Sequence, residues 1–411
     1  MTPLEAFEQG NFDEAVIALC ANGVQPFSQD AKVLHAMAVL NKGDEEATKT
    51  ILSTCSEDDP HVQKMLGYFA YNEDRYGEAL SHYRRSLELD PNYAHAAHDL
   101  GVACSALGLH HEARKYLERA CQIRPDWALA RMDLGIVKLG AGDESGWIDY
   151  EARHEARGTK VNYEVPEWDG SDVSGKRFFL LAEQGFGDQI QFLRYAKNLS
   201  DMGARVLVGV SEKLRRFAAL QAGVSEVYVM GKQVAPFDVW AYAMSMPRLM
   251  GGLRSMGGPS VRMGRRGKGN GLIGLNWKGN PEFKAEKFRR IPVPALAPIL
   301  KDHRCVRLPF EMMNGEPGCE IPDFTSGCFD FLDTGMKMLD HLDALVTSCS
   351  GIAHLAGSIG IPTVLCLPEN YDFRWKIEPP EFYYPTHVTV VNTSNWDETM
   401  ERANSRLKDI L

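Results

Sequence analysis

Three groups of residues have types and spacing that could do chemistry. The first is Ser348-Cys349-Ser350-Gly351, four small residues between an apolar run and a helix-forming run that carries His354. A turn of this kind leads into a helix whose first backbone N–H groups lack intrahelical partners and carry the positive end of the helix dipole. With hydroxyls at Ser348 and Ser350 and an imidazole in the first turn, such an end is suited to hold a phosphate; ordinary α/β packing with a structural His354 is the alternative. The second group is Glu183-Gln184-Gly185-Phe186-Gly187-Asp188-Gln189, a glycine-bracketed turn whose Asp188 either faces a ligand or caps a helix. Its Gly-x-Gly lacks the third glycine and the acidic ribose partner of a dinucleotide turn, which argues against a dehydrogenase. The third group is Lys278, Lys284, Lys287, Arg289 and Arg290 around Asn280-Pro281. Cations this close repel one another unless they are solvated or face an anion.

Each group follows an apolar run, and these runs alternate with helical stretches. Strands are predicted over 178–182, 205–210 and 226–229, with helices over 188–202 and 212–222. Further strands are predicted over 272–277, 305–308, 344–347 and 363–367, with helices over 293–301, 352–359 and one ending near 342 that Asp333 or Thr334 would cap. Such alternation builds parallel α/β lobes, whose ligands sit beyond the carboxyl ends of the strands. Residues 251–271 hold eight glycines with Arg262, Arg265, Arg266 and Lys268, and read as a solvated inter-lobe linker, an anion site being the alternative. Asp372, Arg374 and Trp375 close the second lobe.

The front of the chain is periodic. Leu66-Gly67, Leu100-Gly101 and Leu134-Gly135 recur every 34 residues, as do Ala79 with Ala113 and Pro91 with Pro125. Each unit reads as two helices that approach at the glycine, cross at the alanine, bring in a large residue (Tyr83, Leu117) and end at the proline. Residues 10–15 and 42–47 carry the same inter-helix turn in drifted form, which makes roughly four units. An array of this kind offers a groove for a protein or peptide, or a scaffold or self-association surface. Trp147, Tyr150, Glu151 and Arg153 form an aromatic helix face for which core packing is the favoured reading and docking of the array onto the next domain the alternative, and 161–176 reads as an extended linker.

Composition bounds these readings. Of 411 residues, 44% are hydrophobic and 24% charged, as in soluble globular proteins. No apolar run approaches the ~18 residues of a membrane span, the first residues lack a signal-peptide order, and nine cysteines show no metal-ligand pairing. A cytoplasmic location is the expectation. The net charge of −10 is uneven: 26 acidic and 15 basic residues in 1–157 give −11, leaving 29 and 30 behind them, near +1. An acidic front argues against nucleic acid as its partner.

Two lobes behind a repeat array resemble known proteins. The stretch 60–141, with Asp90-Pro91-Asn92-Tyr93 and Arg124-Pro125-Asp126-Trp127 as closing turns, resembles tetratricopeptide repeats. Behind it come Gly185-Phe186-Gly187-Asp188-Gln189-Ile190-Gln191-Phe192, Asn280-Pro281 with Lys284 and Arg289, Asp333-Thr334, His354-Leu355-Ala356-Gly357 and Asp372-Phe373-Arg374-Trp375. This order resembles bacterial tetratricopeptide-repeat proteins whose rear half is similar to the heptosyltransferases (glycosyltransferase family 9), and the combination is also similar to the O-GlcNAc transferases. The implied fold is an α-solenoid over 1–157, a linker over 158–176, a shortened acceptor-side Rossmann-like lobe over 177–255, an inter-lobe linker over 256–270, and a donor-side lobe over 271–411, together the architecture called GT-B.

The resemblance implies a metal-independent, inverting glycosyltransferase using a nucleotide-diphosphate sugar as substrate, with no further cofactor. Asp188 would be the general base, and Ser350, Gly351 and His354, with Lys284, Arg289 and Arg290, would bind the donor diphosphate. Gln184, Gly185, Gly187, Gln189, Lys278, Asn280, Ser348, Cys349, Asp372 and Arg374 would line the cleft. The repeats would recruit a protein acceptor or partner. Two departures stand out: Cys349 replaces the family's aspartate, and Pro309 stands where relatives often carry glutamine. Cys349 and the shortened first lobe motivate the alternative of an inactive repeat-based adaptor.

Overall fold

The computed structural model describes residues 29–256, 258, 261, 271–280, 286–308, 318, 320–375, 384–391 and 395–411. The turn at 10–15, the basic residues of the inter-lobe linker, Pro281, Lys284 and Pro309 lie outside the described residues. The chain divides into two compact units between Thr159 and Lys160. Among the described residues no helix is long and apolar enough to cross a membrane.

The front unit is a series of helix pairs: α1 (Gln29–Asn41) with α2 (Glu45–Leu52), α3 (Pro60–Asn72) with α4 (Tyr76–Leu89), and α5 (Ala94–Ala106) with α6 (His110–Ile123). Then α7 (Ala128–Gly140) meets the short helix Gly146–Tyr150. Two of these starts are set by side-chain caps, Asp44 before α2 and Asp59 before α3. Asp59 accepts from the N–H groups of His61 (2.8 Å) and Val62 (3.1 Å), and Pro60 supplies a first-turn residue with no N–H to satisfy.

The periodic glycines do what their spacing predicts. A Cβ at Gly67 would lie 2.6 Å from the Tyr83 ring and one at Gly101 2.7 Å from Leu117, so only hydrogen fits where paired helices cross. Ala79, Ala113, Leu100 and Leu117 are fully buried around these crossings. At the third glycine the neighbour is backbone: a Cβ at Gly135 would lie 2.6 Å from the Tyr150 nitrogen. Trp147 and Tyr150, 2% and 1% exposed, thus close the last repeat. Core packing, the favoured reading of this face, holds for Trp147 and Tyr150, and Arg153 lies 5.2 Å over the Tyr150 ring.

The rear unit holds two parallel sheets. In the first, β1 (Arg177–Leu181), β2 (Arg205–Val210), β3 (Val224–Val229) and β4 (Val239–Tyr242) lie in the order β3-β2-β1-β4. The helix expected over 188–202 is two pieces, α8 (Phe186–Phe192) and α9 (Tyr195–Asp201). Residues 160–176 are extended as predicted but are no free linker. Trp168 donates its N–H to Trp240 O at 2.7 Å, and Val161, Tyr163 and Val165 pack on Phe179, Trp240 and Tyr242, so the segment walls the first lobe.

The second sheet contains β5 (Leu272–Asn276), β6 (Arg304–Arg307), β7 (Ala344–Ser348), β8 (Thr363–Leu367) and β9 (His387–Val391), in the order β6-β5-β7-β8-β9. It is all parallel, and β7 and β8 are buried at every residue, as strands covered on both faces must be. Its helices include α10 (Phe331–His341), α11 (Gly351–Ile359) and α12 (Trp396–Ile410). The cap of α10 is Asp330, which accepts the Asp333 N–H at 2.9 Å, instead of Asp333 or Thr334. Strand order reverses between β1 and β4 in one sheet and between β5 and β7 in the other. These are the points at which a doubly wound sheet opens a crevice.

The glycine packing has a direct test. In Gly135→Ala, overpacking against backbone costs about 1–3 kcal/mol and outweighs the ~1 kcal/mol gained in helix propensity, so the thermal midpoint falls. Gly77→Ala, where a Cβ would meet nothing within 4 Å, gains up to about 1 kcal/mol. Thermal unfolding followed by circular dichroism checks both signs.

Candidate active site

The site is built where α8 and α11 start. A Cβ at Gly187 would lie 2.8 Å from His354 Cδ2 and 3.4 Å from Gly351 Cα. Only a bare backbone at Gly187 lets the two helix starts meet. Phe186 packs on Phe331 with ring centroids 5.0 Å apart, and Arg216 reaches Asp330 at 3.2 Å and Asp333 at 2.9 Å, so the two lobes touch beside this contact. Gly187 therefore brings the turn after β1 onto the turn after β7, one residue from Asp188.

The turn after β1 is held stiffly. Gln184 has φ +60°, a left-handed conformation that a non-glycine residue rarely adopts. Glu183 accepts the Met244 N–H at 3.2 Å, tying the turn to the end of β4. Gln189 clamps the neighbouring loop, donating to Ser211 Oγ at 2.8 Å and accepting the Ser211 N–H at 3.0 Å. Gln184, Gly185 and Gln189 thus act on backbone geometry. Asp188 Oδ2 accepts the Gly185 N–H at 3.2 Å, so the residue does take part in the start of α8, from its third position and not as its N-cap.

The other oxygen of Asp188 crosses to the second lobe. Arg374 Nε lies 2.8 Å from Asp188 Oδ1, while Arg374 Nη1 donates to both oxygens of Asp372 at 2.9 and 2.8 Å. Burial pushes the Asp188 carboxyl above its ordinary range, Arg374 pulls it down, and Asp372 pushes it up again. The net direction is upward, as a proton acceptor working near neutrality requires.

Around the start of α11 the predicted residues divide. Ser350 is the N-cap by position, but its hydroxyl makes no bond to the helix; it accepts from Asn276 Nδ2 at 2.6 Å and lies 3.4 Å from Thr347 Oγ1. The first-turn N–H groups of α11 are thus left without a side-chain cap, with Gly351 at the opening. Ser348 belongs to β7 and is fully buried, so it is not a second hydroxyl of the turn. Cys349 Sγ accepts the Trp375 indole N–H at 3.0 Å, and burial raises the thiol, which keeps it uncharged.

His354 is no cation at this site. It is 5% exposed, stacked on Trp375 at 4.6 Å and hydrogen-bonded through Nδ1 to Tyr384 Oη at 3.1 Å, and burial holds it well below the usual imidazole range. Its neutral ring is the packing surface for Gly187.

The basic loop after β5 is also partly neutralised. Glu286, 8% exposed, takes the Gly279 N–H and Arg289 Nε, so Arg289 is an ion-paired residue; its charge still reaches the Cys349 thiol. Arg290 and Asn280 are exposed and Lys278 is half-buried.

Several participants escaped sequence reasoning. Asn276 was signalled by an amide ending an apolar strand, and Glu286 by an acid inside a basic loop. Tyr384, whose ring would collide with any Cβ at Gly357, gave no such signal. Gln191, fully buried one turn beyond Gly187, has no hydrogen-bond partner for either amide atom among the described residues.

The front unit carries its own charged row across successive repeats. Lys64 lies 3.1 Å from Asp99, whose neighbour His98 bonds Asp99 at 3.1 Å and Asp133 at 2.8 Å. Burial disfavours the His98 imidazolium, but the bonds to Asp133 and Asp99 outweigh it and raise the ring to about 9. Beside it, His61, Tyr93, His95 and Trp127 form an edge-on ladder with centroid spacings of 4.6, 6.0 and 4.5 Å.

Comparisons with known proteins bear on the front unit first. A family model described as tetratricopeptide repeat matches residues 61–126, so this stretch carries tetratricopeptide repeats. Over 94 residues the chain is 34% identical to the peroxisomal targeting signal receptor of Candida albicans, which is 22% of this chain and 16% of that protein. Protein FlbA of Caulobacter vibrioides is 22% identical over 315 residues, 64% of this chain and 52% of that protein. The chain thus matches about half, or less, of the length of these curated relatives. Among solved structures, MamA is 20% identical with a TM-score of 0.29, over 39% of this chain and 96% of that one. The Cut9–Hcn1 tetramer of the APC/C is 17% identical with a TM-score of 0.33, over 39% of this chain and 33% of that one.

Two groups give a pH dependence. A carboxyl raised on folding gives stability that is complete below its unfolded value and lost as pH rises through the folded one. Wild-type stability relative to Asp188→Asn should therefore fall as pH climbs from 3.8; a flat or rising difference in denaturant titrations would mean that Arg374 outweighs burial. His98 gives stability that is complete below 6.5 and lost as pH rises through about 9. His98→Gln should be less stable at pH 6 and lose less between these values.

Proposed function

We propose that the rear unit is an inverting glycosyltransferase that moves a sugar from a nucleotide-diphosphate donor to a hydroxyl acceptor in the cytoplasm, and that the tetratricopeptide repeats recruit a protein acceptor or partner. The observation that carries this reading is the meeting of two strand-order reversals through Gly187 and Gly351. It puts a carboxylate of raised proton affinity beside an uncapped helix start.

The chemistry assigns a task to each wall. Asp188 takes the proton of the acceptor hydroxyl while that oxygen forms a bond to the anomeric carbon from the face opposite the leaving group. The anomeric carbon–oxygen bond breaks, and its electron pair leaves on the diphosphate. The first-turn N–H groups of α11 at Gly351, with Lys284, Arg289, Arg290 and Arg374, meet the growing charge, a task that a metal ion performs in other enzymes. Gly187-Asp188-Gln189 in the first lobe and Asp372-Phe373-Arg374-Trp375 in the second support the likeness to the heptosyltransferases and O-GlcNAc transferases.

A second reading is an adaptor that keeps the lobes without turnover. It is favoured by Cys349, a neutral thiol at the position of the family's carboxylate, and by the engagement of Asp188 with Arg374.

The readings separate on the purified protein. A panel of nucleotide sugars screened by thermal shift and by release of nucleoside diphosphate should reveal one donor that is both bound and consumed. Asp188→Asn should then lose about 10²- to 10⁴-fold in turnover with donor affinity retained. Full activity in that variant removes Asp188 as base; binding without turnover in any condition leaves the adaptor.

A further inference from the structure

Beyond the charge it offers a diphosphate, Arg374 makes a contact to the first lobe that the transfer reaction does not explain by itself. Its guanidinium joins the lobes, with Nε at 2.8 Å from Asp188 on the first and Nη1 at 2.9 and 2.8 Å from the Asp372 oxygens on its own. Asp372 is two residues away and also accepts the Arg374 backbone N–H at 2.9 Å, so this contact is local and travels with the loop. The Asp188 contact is the one that can be exchanged.

The start of α11 lies within reach of the Arg374 charge. Arg374 acts on both the Cys349 thiol and the His354 ring, which flank Ser350 and Gly351 at the start of α11. Its neighbour Trp375 touches both, bonding Cys349 at 3.0 Å and stacking on His354 at 4.6 Å. A guanidinium offers five N–H donors in a planar fork that suits a phosphate at least as well as a carboxylate. It is also nearly shielded from water, its side chain 12% exposed, so whichever anion it faces feels it strongly.

We propose that Arg374 is a positioning residue with two exchangeable partners: it holds Asp188 in the arrangement seen here, and turns to a nucleoside diphosphate bound at the start of α11, releasing Asp188 as a proton acceptor. Its base strength then rises further once the donor has bound. This rests on the glycosyltransferase reading and adds to it an order of events. The groups facing Asp188 act in opposite directions. Arg374 lowers its proton affinity, whereas burial, Asp372 and Glu183 raise it; the Gly185 N–H lowers it, and His354 beyond Gly187 is neutral. Removing Arg374 therefore moves Asp188 upward.

The test uses the full chain with carboxyl-labelled aspartate, followed by carbon NMR, with Asp188→Asn identifying the signal. Binding of uridine, guanosine and adenosine diphosphate is measured separately by calorimetry. Without nucleotide, Arg374→Gln should titrate at Asp188 above wild type, and Arg374→Lys, which keeps the charge, near it. A saturating diphosphate should then raise Asp188 further in wild type than in Arg374→Gln, because the glutamine variant feels only the field of the added anion. Arg374→Gln should also bind the diphosphate about tenfold more weakly, the loss expected for one charge-assisted hydrogen bond. Equal movement in the two proteins, with the diphosphate bound, overturns the exchange and leaves the donor site standing. Failure of all three diphosphates to bind overturns both.

Discussion

The rear unit depends on one close approach, Gly187 against Gly351 and His354. Helix starts repel through their like dipole ends, so they meet only where something compensates. Here three contacts do so: the Asp188–Arg374 pair, the Arg216 contacts to Asp330 and Asp333, and the Phe186–Phe331 stack. With 49% of its side chain exposed, Arg216 contributes little beyond direction. The Asp188–Arg374 pair, 20% and 12% exposed, is the decisive one, because breaking it leaves a largely shielded charge unpaired. A residue larger than glycine at 187 would part the helix starts and draw Asp188 away from Arg374.

Sequence periodicity revealed most of this architecture because its physics is local. The 34-residue glycine spacing records a steric demand at each helix crossing, and the structure answers it at Gly67, Gly101 and Gly135 with Tyr83, Leu117 and the Tyr150 backbone. Parallel strands were legible as short apolar runs, but β4 is only four residues long and β9 opens with a histidine, so neither registered. Helix α12 could have been read, since Trp396, Met400, Ala403 and Leu407 keep the spacing of one helix face.

Side-chain roles at the site were less legible because they are set by neighbours distant in sequence. His354 looked like an anion ligand by its place in a first turn. It is neutral because Trp375 and Tyr384 enclose it. Ser350 looked like a hydroxyl donor to a phosphate, and Asn276, 74 residues earlier, bonds that hydroxyl. The cation cluster at 278–290 looked unopposed until Glu286 folded onto Arg289. Burial and pairing decide charge here, and neither is written in local spacing.

The same rule bears on Cys349. A carboxylate in its place would be the third in the cluster, beside Asp188 and Asp372, with Arg374 shared between those two already. Asp372 already pushes the Cys349 thiol upward, which shows that its charge reaches that position. An added carboxylate would oppose an incoming diphosphate at the mouth of α11, and part of the helix-dipole attraction would be cancelled. A neutral thiol preserves the volume without that repulsion. In this charge balance, with Asp372 supplying the negative group nearby, the cysteine leaves the start of α11 without a further negative charge.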